Sequence, residues 1–122
     1  GHYLGLAFLG RESLAADAVP LFATERLRRF LESAGPWELL LRAGHAELRD
    51  LEPGRPLALS SRLEVEAFAV PHRDEYSDTV GFHLRGPRRR AIYLPDVDRL
   101  DEPLWRLLLA TDVLLLDGTF FA

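Results

Sequence analysis

Apolar and polar positions divide the chain into a helical first third and a strand-rich remainder. Residues 3–16 set Leu4, Ala7, Phe8 and Leu14 near the helical period and predict a helix. Ala18–Ala23 is a short apolar run containing Pro20, which predicts an edge or parallel strand. Thr24 is suited to cap a helix reaching about Ser33. Gly35-Pro36 restarts the helix, since proline fits a first helical position, and Gly44 ends it. Ala46–Leu51 and Leu57–Leu59 read as strands flanking the turn Glu52-Pro53-Gly54-Arg55. Leu63-Glu64-Val65-Glu66-Ala67-Phe68 alternates apolar and acidic, the pattern of a half-buried strand. Thr79–Leu84 and Arg90–Leu94 predict a hairpin over Gly86-Pro87. Asp101 is placed to cap a helix through Leu109, and the fully apolar Val113–Leu116 predicts a central buried strand. The sum is an α/β or α+β layered fold.

Composition narrows the chemistry. The 122 residues are 48% hydrophobic and 28% charged, values expected of a globular domain. Net charge is −4 and every basic residue is arginine, a bias of coding rather than of function. That balance argues against general nucleic-acid binding, which needs a basic face. Cysteine is absent, so disulfides and thiolate metal sites are excluded and His and carboxylate remain as strong ligands. No apolar run reaches the ~18 residues of a membrane span, and no signal peptide opens the chain; a cytoplasmic protein acting on a small molecule is the expectation. The Gly-His start and the abrupt Gly-Thr-Phe-Phe-Ala end suggest a piece cut at both sides.

Four residues sit where functional groups commonly sit, at element ends. His2 opens the first helix, His72 follows the strand Leu63–Val70, Asp96 follows Ala91–Leu94, and Asp117 follows Val113–Leu116. Imidazole and carboxylate suit divalent zinc, iron or manganese. His45, just past Gly44, and His83, inside a strand, read as structural, while Asp98 and Asp101 read as turn or cap residues. Arg88-Arg89-Arg90 reads as a solvated hairpin flank. There is no Walker loop and no Gly-x-Ser-x-Gly elbow, and Ser60 and Ser61 have no neighbouring His.

Strings of residues add a resemblance. Gly1-His2-Tyr3-Leu4-Gly5-Leu6 resembles the end of the metallo-β-lactamase signature His-x-His-x-Asp-His with its following Gly-Leu helix. Val70-Pro71-His72 with Thr79-Val80-Gly81-Phe82, Leu94-Pro95-Asp96, and Asp117-Gly118-Thr119-Phe120 are similar to the later motifs, in order. Pro71-His72-Arg73-Asp74-Glu75-Tyr76 and the Asp-Gly-Thr-Phe-Phe end resemble the branch concerned with pyrroloquinoline quinone biosynthesis. The resemblance implies one partial αββα metallo-β-lactamase-like domain over residues 1–122, an α/β sandwich with a mixed sheet and flanking helices. It implies His2 and His72 as metal ligands and Asp96 as the bridging carboxylate, with Asp117 supporting them from behind.

Zinc is the first expectation and iron the alternative. The implied activity is hydrolysis by a metal-activated water, with Glu75 or Tyr76 orienting substrate. A non-haem iron oxygenase and a non-catalytic scaffold are the alternatives. Gly1 stands where the signature has Asp, and the remaining ligand histidines would lie before residue 1 and after residue 122. The 122 residues alone are therefore expected to hold metal weakly and to be inactive.

Overall fold

The structure, a computed structural model, describes residues 3–73, 75 and 77–118. The chain divides into two compact units, the first formed by residues 1–52 with 75–78 and the second by 53–74 with 79–122.

The first unit begins with a short 3-10 segment, Leu4–Leu9, where a longer helix over 3–16 is expected from the sequence. Gly10 stops it by turning extended (ψ 170), and a tight turn closed by Leu14 N–H to Phe8 O (3.1 Å) follows. Ala15 and Ala18 take positive φ, which no helix accommodates. The apolar period was real but local: Leu4, Phe8 and Leu14 are exposed rather than forming a core stripe.

Strand β1 (Val19–Ala23) lies parallel to β2 (Ala46–Asp50), and helices α1 (Glu25–Ser33) and α2 (Gly35–Arg42) connect them. A helical crossover is what a parallel pair requires. Thr24 caps α1 by accepting from Leu27 N–H (3.4 Å), and its hydroxyl also donates to the Asp78 carboxylate. The Tyr3 ring lies tilted at 4.8 Å from Phe30 and edge-on at 5.6 Å from Trp37, which fixes the 3-10 segment on the two helices.

The second unit is a five-stranded mixed sheet in sequential order: β3 (Pro56–Ser60), β4 (Leu63–Ala69), β5 (Val80–Arg85), β6 (Arg90–Leu94) and β7 (Val113–Leu116). The first three pairings are antiparallel and β6–β7 is parallel, with α3 (Glu102–Leu109) as the crossover. Asp101 caps α3 by accepting from Leu104 N–H at 3.0 Å.

Register explains the alternation in β4. Glu64, Glu66 and Phe68 pair with Arg85, His83 and Gly81, and His83 pairs on with Ile92, so these residues share one face. The apolar end of that face is the core: Val70, Ile92 and Leu94 pack with Leu104 and Leu108 of α3, flanked by Phe68, Val97 and Leu107. Gly81 leaves room for its neighbours there: a Cβ would fall 2.4 Å from the Phe68 ring and 3.1 Å from Leu94.

Strand β7 departs from expectation. Among the described residues it lies at the edge of this sheet rather than at its centre, with all four of its residues exposed. Uninterrupted hydrophobicity gives a strand's affinity for cover, not its rank in the sheet, and among the described residues no further strand pairs with it.

Candidate metal centre

Strand direction gathers the candidates of the second unit. Strands β4, β6 and β7 run the same way, because β5 is antiparallel to both β4 and β6 and β7 is parallel to β6. The segments leaving their C-terminal ends, which carry His72, Asp96 with Asp98, and Asp117, therefore emerge at one end of the sheet. Backbone bonds tie these segments to each other: Asp98 N–H donates to Pro71 O (2.9 Å) and Asp117 N–H to Leu94 O (3.0 Å). Val97 packs on the α3 core, which anchors the stretch between Asp96 and Asp98.

One side-chain contact stands out. His72 Nδ1 lies 2.8 Å from Asp98 Oδ1, with the imidazole mostly shielded and the carboxylate mostly exposed. Sequence reading had Asp98 as a turn or cap residue. The cap of α3 is Asp101, so Asp98 was spare, and the spacing Asp96-Val97-Asp98 after a strand was the signal that could have found it.

Of the other expected site residues, His2 and Tyr76 lie outside the described residues. Glu75 groups with the first unit, where its backbone carbonyl accepts from Arg26 at 3.5 Å and its side chain is exposed. Among the described residues no three His, Cys, Asp or Glu side chains stand close enough together to hold a metal ion. The described residues bring His72 and Asp98 into contact but assemble no group of three ligands.

The two remaining histidines are held structurally. His45 Nδ1 is 2.8 Å from Ala16 O in the first unit. His83 sits in β5 with Nε2 buried and without a hydrogen-bond partner. Burial lowers its pKa from the ordinary value, and Arg85 and Arg90 add to this against the opposing pull of Glu66 and Glu64. Arg85 in turn forks across Glu64 (2.8 Å) and Glu66, and hydrogen bonds to both raise its pKa.

A mixed sheet with a helix packed on it, and His and Asp on the loops at one sheet end, defines a class, and comparison with known proteins gives it: residues 2–122 match the family described as Beta-lactamase superfamily domain, and the chain belongs to it. Its fold is similar to that in the 1.98 Å crystal structure of zinc-bound PqqB from Methylobacterium extorquens, with a TM-score of 0.73 and 23% sequence identity. The match covers 94% of this chain and 37% of that one, so this chain spans little more than a third of PqqB's length. No curated protein matches the chain. Among the described residues no helix is long and apolar enough to cross a membrane.

Proposed function

We propose that this domain forms part of a metal-dependent hydrolase, with His72 and Asp96 as two of the metal donors and His2 as a third. The observation that carries the reading is the arrival of His72 and Asp96 at one end of the sheet, on loops tied by backbone hydrogen bonds, in a chain of this superfamily. Zinc is the first choice of metal, supported by the donor types and by the zinc in the PqqB structure. When bound, such a metal lowers the pKa of its water to about 7 and supplies the nucleophile at neutral pH. Asp96 would add negative charge next to the ion, and Glu75 or Tyr76 would orient a small-molecule substrate.

The test is reconstitution of the protein carrying this domain with zinc or ferrous iron, followed by hydrolysis of activated esters and phosphodiesters with oxygen uptake recorded in parallel. The expected result is zinc-dependent hydrolysis without oxygen consumption, abolished in His72→Ala. Iron-dependent oxygen uptake without hydrolysis would replace this reading with that of an oxygenase, for which two His and one carboxylate suffice. Absence of both would leave a binding scaffold.

A further inference from the structure

We infer that Asp98 is a positioning residue: it holds the His72 imidazole in the Nδ1–H tautomer and so presents Nε2 as the lone-pair nitrogen. An ionised carboxylate only accepts hydrogen bonds. With Asp98 Oδ1 at 2.8 Å from Nδ1, the proton of a neutral His72 resides on Nδ1, and Nε2 is bare. The arrangement is reinforced through the backbone, since Asp98 N–H donates to the carbonyl of Pro71, the residue preceding His72. Asp98 therefore grips the histidine loop twice, once through its main chain and once through its side chain. Val97, packed on the core made by Ile92, Leu94 and Leu104, fixes the stretch from which Asp98 projects.

The consequence for ligation rests on the metal reading above, whereas the tautomer does not. A carboxylate behind a ligand histidine orients the ring and raises its basicity, and losing such a partner typically weakens metal binding about 10–100-fold. Asn at this position keeps an oxygen that accepts from Nδ1–H, but loses the charge. Ala loses both.

The experiment is ¹⁵N–¹H correlation spectroscopy of the imidazole rings in the metal-free protein carrying this domain, recorded in basic solution. The expected spectrum shows a protonated Nδ1 and a bare Nε2 on His72. Asp98→Asn keeps that pattern, and Asp98→Ala shifts the population toward Nε2–H. Zinc titration of the same samples is expected to show affinity falling about 10–100-fold in Asp98→Ala and less in Asp98→Asn.

A wild-type His72 protonated on Nε2 overturns the proposal, and so does an Asp98→Ala tautomer identical to wild type. The wild-type spectrum alone decides the point if the alanine variant does not fold. A clean Nδ1–H tautomer with no response of His72 to zinc would instead sink the metal reading and leave the positioning role intact.

Discussion

Two histidines of the second unit make opposite use of carboxylates. His72 stands beyond the end of β4, one ring nitrogen fixed by Asp98. His83 lies within β5 beside Glu66, yet its Nε2 is buried without a partner, because Arg85 takes the carboxylates of both Glu64 and Glu66. On the strand face, charges neutralise each other and leave the imidazole desolvated. At the strand ends, a carboxylate is free to orient an imidazole. Placement at the end of an element, more than residue type, sets the two imidazoles apart.

Removing what the two regions share gives the largest expected effect. Ile92 is wholly buried, pairs with His83 and packs under the α3 core beside the Asp96 loop. Ile92→Ala is expected to cost about 2–5 kcal/mol in denaturant unfolding and to erase both environments together. Gly81→Ala comes next, at about 1–3 kcal/mol, because the added methyl collides with Phe68. Asp101→Ala removes the α3 cap for about 1 kcal/mol. It should leave the His72–Asp98 contact in place, which separates the capping aspartate from the orienting one.

The smallest effect concerns pH. Burial and Arg85 depress the His83 pKa below its ordinary 6.5 in the folded state. Between that folded value and 6.5 the unfolded chain binds more protons than the native one, so stability rises with pH there. The contribution is complete above 6.5, falls as the pH drops beneath it, and levels off below the folded value. Thermal melts of His83→Gln across this window should show a shallower acid loss than wild type. An equal slope would mean that the acid sensitivity arises elsewhere.

Much of this arrangement was legible in the sequence. The caps Thr24 and Asp101, the Gly35-Pro36 restart and the hairpin of β5 and β6 follow from local chemistry that leaves direct marks in residue order. The resemblance motifs identified the superfamily. What was hidden depends on distant residues. The 3–16 period could not disclose that Gly10 ends the helix, since a glycine is tolerated inside many helices. The apolar β7 could not disclose which described strand it would pair with, since that is set by pairing order. Asp98 was missed because its partner lies 26 residues away, and a carboxylate in a loop resembles a turn residue until the fold closes.

On the proposed reading the loop ends of the second unit, and not its strand face, would meet the metal. Zinc titration of the ¹⁵N-labelled protein carrying this domain, followed at the imidazoles of residues 2, 45, 72 and 83, is the test. The ring signals of His72 are expected to move, with Nε2 shifting most, while His45 and His83 stay fixed. His2 should move with His72. A response at His83 or His45 with His72 unmoved would place the metal away from the loop ends.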